Sequence, residues 1–328
     1  MTVRLVISAG FAVLVLASAT ACHLEAQTRA EGMFERTLAV GGPLTLDIST
    51  GSGSIQIQRG PAESIHVIGR IRGGRSWYST DVEERIRRIE AAPPITQDGD
   101  TIRVGRVQDD RLFRNISISY DVTVPLDTRV QSQTGSGSQT ISDLSGPVDV
   151  SAGSGSLLLR DIRNDVRAST GSGAIRVEDL GGSFVGRTGS GPITAEGVRG
   201  AVNARTGSGR VDVAQTGEAD VEVATASGRI GVRGARRALR ARAASGSIEL
   251  EGRPAQNWDV ESASGSIRIH FPADSAFELN ARTASGAINT THPLALVDTR
   301  SRTRLRGTVR GGGSRVDLST ASGSIHID

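Results

Sequence analysis

The chain contains one residue placed for covalent chemistry, the single cysteine Cys22. It follows an apolar run, Leu5 to Leu16, headed by Arg4, and a small-residue stretch in which Ala19 and Ala21 form an A-x-A cleavage pattern. A run of about a dozen apolar residues is too short to span a bilayer and reads instead as an export signal. The pattern predicts a signal peptide over residues 1–21 and cleavage before Cys22. A thiol at the first mature position is placed to take a lipid, so Cys22 is the candidate lipidation site. Acyl chains there would hold a soluble body at a membrane surface, with residues 22–32 as linker. One cysteine also means no intramolecular disulfide, so packing must stabilise the mature chain.

The next candidates are glycine-rich turns, which recur as Thr-Gly-Ser-Gly and later as Ala-Ser-Gly. A phosphate cradle of the Walker kind needs a following helix and a lysine. The segments that follow alternate like strands, and all 38 basic residues are arginine. A calcium-binding β-roll places Asp two residues past the last glycine. Here that position holds Leu157, Ile175, Ile193, Val211 or Ile230, none of which can ligate a metal. Asp143, Asp161 and Asp179 read as turn formers. His23, His66, His270, His292 and His326 show no ligand spacing, and the two tryptophans are Trp77 and Trp258. No catalytic, metal or cofactor residue is therefore assigned. The formal charge is only +3, with acids interleaved among the arginines as in "DVEERIRRIE", which argues against nucleic acid as a partner.

What these turns position is a repeat. Their second glycines are Gly137, Gly155, Gly173, Gly191, Gly209, Gly228, Gly246, Gly265 and Gly286, with steps of 18 to 21 residues. Further copies stand at Gly53 and Gly323. After each turn the second and fourth residues are apolar in most copies, for example Ile175/Val177 and Ile248/Leu250. Before each turn a second alternating pair appears, such as Val166/Ala168, Val202/Ala204 and Trp258/Val260. Alternation of period two marks strands with one buried face. Two strands per 18-residue unit, always in the same order, predict an all-β fold. The expected architecture is a parallel β-solenoid of eight to ten stacked coils, on the order of 40–50 Å long. The pairing of large with small inward residues predicts a thin sandwich and accounts for an aromatic content of 3%. Glycine is expected at the corners because some corner residues need positive φ.

Residues 33–131 are also mostly strand-like and contain one helix signal, "STDVEERIRRIE", with Val82, Ile86 and Ile89 on one stripe. This region is read as an N-terminal β cap, and residues 132–328 as the solenoid, with an irregular insertion near 291–313. The chain ends on "SIHID", so an uncapped final strand is expected, an edge on which a second chain could stack.

Cys22 and the small residues before it resemble the lipobox of bacterial lipoproteins. The stretches "GSGSIQI", "ISISYDVTVPLDTRVQSQTGSG", "FELNARTASGAINTTHPL" and "RLRGTVRGGGSRVDLSTASGSIHID" resemble the bacterial family DUF4097, which carries an adhesin label. The resemblance implies an exported, non-enzymatic β-repeat protein of the cell envelope. It would lie in the periplasm or at the cell surface and present an adhesive or scaffolding surface to a glycan or protein ligand. It transfers no catalytic motif. The alternative is a carbohydrate-active β-helix enzyme, which would need two carboxylates facing each other about 5–10 Å apart in a cleft.

Overall fold

The structure is a computed structural model that describes residues 30–74, 80–105 and 110–328. The export segment, Cys22 and Trp77 lie outside the described residues. Two sheets face each other, one of 14 strands and one of 15. Removing the strands joined by antiparallel pairing, two from the first sheet and three from the second, leaves twelve parallel rungs on each. Pairing is in register from coil to coil: Leu157 lies beside Ile175, Ile175 beside Ile193, and Ile193 beside Val211. On the other sheet Val148 lies beside Val166, Val166 beside Phe184, and Phe184 beside Val202. The fold is an all-β parallel solenoid.

The inward columns explain its thinness. Ile175, Ile248 and Ile267 are buried, and so are Val166, Ala168, Ala204 and Trp258 opposite them. Where the column needs still less volume it holds Gly186, over which the Phe184 ring folds; a Cβ there would fall 2.4 Å from that ring. Large against small lets the two sheets interlock at short range, as a dense core requires.

At the corners glycine serves a purpose other than the one expected. The second glycines from Gly137 to Gly265 do not lie at positive φ; only Gly286 and Gly323 of that series do. The constraint is instead the coil below. A Cβ on Gly155 would stand 1.6 Å from the carbonyl oxygen of Gly137, and one on Gly191 would stand 1.8 Å from that of Gly173. The same contact joins Gly137 to Gly53 and Gly286 to Gly323, so rungs far apart in sequence share one glycine ladder. Beside it runs a ladder of buried hydroxyls. Thr188 Oγ1 donates to Gly173 O at 3.1 Å and accepts from Gly191 N at 3.1 Å. Thr170 and Thr206 make the same two bonds in their own coils. Each hydroxyl thus closes its own corner and ties it to the previous coil.

Positive φ appears at the opposite corner. Asp143, Asp161 and Asp179 occupy the left-handed region at φ 61°, 52° and 55°, and Gly197 follows at 72°. Asp tolerates this conformation better than most residues, as expected of a turn former.

Both ends are built by insertion. The outermost N-terminal coil is not the first in sequence. It consists of Thr101–Val104 and Ile116–Val124, which pair outside Thr45–Thr50 and Ile55–Arg59. The earlier segment therefore sits one coil inward, against Arg129–Thr134 and Gln139–Leu144. At the other end Ser314–Ser322 and Ile325–Ile327 insert between the coil of Trp258–Ser264 and Ile267–His270 and that of Phe277–Ser285 and Ile288–Thr290. The expected open edge on the last strand is thus corrected: Ile325–Ile327 is paired on both sides. The outer strands at that end are Ile288–Thr290 and Leu294–Arg300. With twelve parallel rungs on each sheet, the stack exceeds the expected eight to ten coils.

Antiparallel strands then cover the end coils. Ser64–Gly73 and Glu31–Ala39 extend one sheet at the N-terminal end, and Ile95–Asp98 the other. Arg304–Val309 and Leu294–Arg300 extend the 15-stranded sheet at the C-terminal end. The helix Thr80–Ala91 forms where its sequence signal lies and buries Val82, Ile86 and Ile89 against this cap. Asp110–Phe113 adds a single helical turn.

Candidate functional site, a groove along the solenoid

Outward residues of the 15-stranded sheet form straight rows because the coils stack in register. One row runs Arg187, Arg205, Ala224, Arg242, Glu261, Ser319, Arg282, Arg304. Its order in space is not its order in sequence, since Ser319 belongs to the inserted coil. Toward the glycine corner lies a second row of exposed small residues, Ala226, Ala244, Ala263, Ala321 and Ala284. In these coils alanine replaces the first glycine of the turn, and the strand runs on to the following serine. Arginine stems and alanine methyls between them bound an open groove of about 970 Å³ along the solenoid axis.

The charges around the groove are partly satisfied. Arg205 pairs with Glu222 at 2.7 Å. Arg242 bridges Asp259 at 3.5 Å and Glu261 at 3.3 Å. Arg240 reaches Asp259 at 3.3 Å and Arg315 reaches Asp317 at 2.8 Å. Among the described residues Arg187, Arg282 and Arg304 have no carboxylate partner. Two pairs of like charges therefore stand directly opposite one another, Arg187 beside Arg205 and Arg282 beside Arg304. Cross-strand like charges are unfavourable by a few tenths of a kcal/mol or more.

Asp259 and Asp317 occupy paired positions on adjacent rungs, the two carboxylates to compare with the pair of a glycoside hydrolase. Their surroundings differ from that of a catalytic pair. Asp259 engages Arg240 and Arg242, and Asp317 engages Arg315 and the Asn280 amide at 2.8 Å. A catalytic acid needs a carboxyl kept protonated by apolar surroundings.

The remaining sequence candidates are dispersed. His66 lies 3.3 Å from Glu35 in the N-terminal cap. His270 and His326 sit on the 14-stranded sheet, and His292 is buried against Phe271 and Phe277. Trp258 is buried, its indole N–H donating to Arg237 O at 2.9 Å, so it offers no stacking surface. Asp143, Asp161 and Asp179 line a polar depression of about 780 Å³ together with Arg163 and Arg199. Among the described residues no group of three or more His, Cys, Asp or Glu is arranged to hold a metal ion. No described helix is long and apolar enough to cross a membrane. The groove itself went unread in the sequence. Its signal is the switch from Thr-Gly-Ser-Gly to Ala-Ser-Gly, accompanied by arginine three residues before the serine in Arg242 and Arg282.

Similar solved structures include three bacterial proteins. One described as a putative cell adhesion protein, from Clostridium sporogenes, is 11% identical, covers 90% of this chain and 99% of its own, and has a TM-score of 0.21. A putative lipid binding protein from Parabacteroides distasonis is 13% identical, with coverages of 90% and 96% and a TM-score of 0.40. A putative adhesin from Bacteroides fragilis is 13% identical, with coverages of 90% and 97% and a TM-score of 0.30. No curated protein matches the chain. The family model described as Toastrack DUF4097 matches residues 115–328, the solenoid from its outermost N-terminal strand to the last residue. With that match over more than half its length, the chain belongs to the Toastrack DUF4097 family.

Proposed function

We propose that this protein is an exported, non-enzymatic component of the bacterial cell envelope that presents its solenoid as a surface for adhesion or scaffolding. The observation that carries this reading is the continuous groove on the outer face of the 15-stranded sheet, a long and repetitive surface rather than a point-like cleft. The export pattern ending at Ala21 supports placement outside the cytoplasm. A lipid on Cys22 would tether the body to a membrane, with residues 22–32 as spacer. The ligand is a glycan or protein of a surface, met along the solenoid axis.

Deleting the gene tests the reading. Surface attachment should fall and return with the full-length gene. The Cys22→Ser variant should restore it incompletely, and mass spectrometry of the mature protein should show an acylated N-terminal cysteine. Attachment and envelope integrity both unchanged on deletion would overturn the proposal.

A further inference from the structure

We propose that the groove binds a linear anionic polysaccharide, one bearing carboxylates or phosphates, laid along the solenoid axis. This deepens the surface-binding reading above and rests on it for its biological setting. The shape comes first. The groove crosses successive coils of one sheet, so its length follows the stack, and its bed of alanine methyls is flat and shallow. Such a bed suits the C–H faces of sugar rings in an extended chain.

Charge complementarity selects the class of chain. Four arginines border the groove, Arg205, Arg242, Arg282 and Arg304, against the single carboxylate of Glu261. Arg205 and Arg242 already share acids, whereas Arg282 and Arg304 have none among the described residues. Their direct opposition leaves two guanidinium groups repelling each other on neighbouring strands. A carboxylate or phosphate seated between them would relieve that repulsion and accept charge-assisted, fork-like hydrogen bonds. Arg187 and Arg205 also stand opposite one another six rungs before Arg282 and Arg304, with Arg187 just past the groove's end, although there Arg205 is shared with Glu222. At about 4.8 Å per rung, the anions of one chain would have to span on the order of 30 Å to meet both arginine pairs. A polymer meets that requirement and a small anion does not.

Other polyanions fit less well. Single-stranded nucleic acid wants aromatic side chains on which bases stack, and the tryptophan of this sheet is buried. A phosphate-dense duplex would meet Glu222, Asp259, Glu261 and Asp317 interleaved among the arginines. An anionic bilayer would favour exposed apolar anchors. Among the described residues the exposed large hydrophobic side chain is Met33, on the edge strand of the opposite sheet at the N-terminal end.

The test uses the purified mature protein and polygalacturonate as the probe, with dextran as a neutral polymer and polyglutamate as an acidic polypeptide. Polygalacturonate should bind, weaken as salt rises, and lose about tenfold or more in affinity in the double variant R282Q/R304Q. Arg233→Gln, on the other sheet, should bind as the parent does. Thermal melts of the double variant should match or exceed the parent, since a like-charge contact is removed. Three results would each overturn the proposal: no binding of polygalacturonate, equal loss in R282Q/R304Q and Arg233→Gln, or polyglutamate binding as tightly as polygalacturonate. The last would assign the groove to an acidic protein. Binding in vitro with attachment unchanged on gene deletion would sink the envelope role while leaving the groove chemistry intact.

Discussion

Gly191→Ala is the sharpest perturbation of this architecture. The new Cβ would lie 1.8 Å from Gly173 O and 2.5 Å from Gly173 C, whereas Cβ atoms essentially never approach a neighbour closer than 3.0 Å. The methyl is thus about 1.2 Å too close to backbone, which cannot rotate away as a side chain would. The coils must separate locally, and the bonds that join them there are Thr188 Oγ1 to Gly173 O, Gly189 N to Gly171 O and Ser190 N to Gly171 O. Losing two or three inter-coil hydrogen bonds at about 1 kcal/mol each, with overpacking of about 1–3 kcal/mol, predicts destabilisation of about 3–6 kcal/mol. Gly51→Ala is the control. Gly51 occupies a corner in the first segment of the chain, has no atom within 4 Å of its Cβ position and lies outside the positive-φ region. Its replacement should be neutral or stabilising by up to about 1 kcal/mol. Guanidinium unfolding followed by circular dichroism compares the two. Because a repeat array need not unfold in two states, the reading is the displacement of the transition and the appearance of a second one. Gly191→Ala and Gly51→Ala with superimposable transitions would refute the inter-coil account of the glycine ladder.

The hydroxyl ladder predicts that Thr188→Val costs about 2 kcal/mol, by leaving Gly173 O and Gly191 N without their partner, while Thr188→Ser stays within about 1 kcal/mol; chemical denaturation measures both. Ile175→Ala should cost about 2–5 kcal/mol by opening a cavity between the sheets, whereas Thr194→Ala on the solvated face of the next rung should stay within about 0.5 kcal/mol. On the same strand as Ile175, hydrogen bonds from Arg176 and Arg160 hold the Glu178 carboxyl below the usual carboxylate range. A lowered folded pKa gives stability that is present above the unfolded value of about 4.3 and lost as pH falls through the folded one. The melting temperature should therefore drop on acidification from about pH 5 to 3, and Glu178→Gln should reduce that drop; an identical profile in the variant would remove this pair from the acid response.

Single-coil features were legible in the sequence because their causes are local. Ile175, Val177, Val166 and Ala168 alternate along their own strands, and that alternation alone states which face is buried. The helix signal at Val82, Ile86 and Ile89 is equally local, and so is the turn chemistry of Asp161 and Asp179. The regular spacing from Gly137 to Gly265 then dictates the in-register stack, since any slip would turn an apolar column to water.

Everything that depends on which coil lies beside which was decided by tertiary pairing. Gly53 meets Gly137 across 84 residues of chain, and Ile325–Ile327 slips between coils that precede it in sequence. A strand's own residues do not record its neighbour when every rung offers the same backbone edge and the same aliphatic column. The choice is made by how the end segments and their antiparallel covers close the stack. The groove inherits that choice, because Arg282 meets Arg304, and Ser319 separates it from Glu261, only after the last coil has moved inward. The reason for the corner glycines is likewise invisible along the chain: it is a carbonyl oxygen one coil away, set there by stacking.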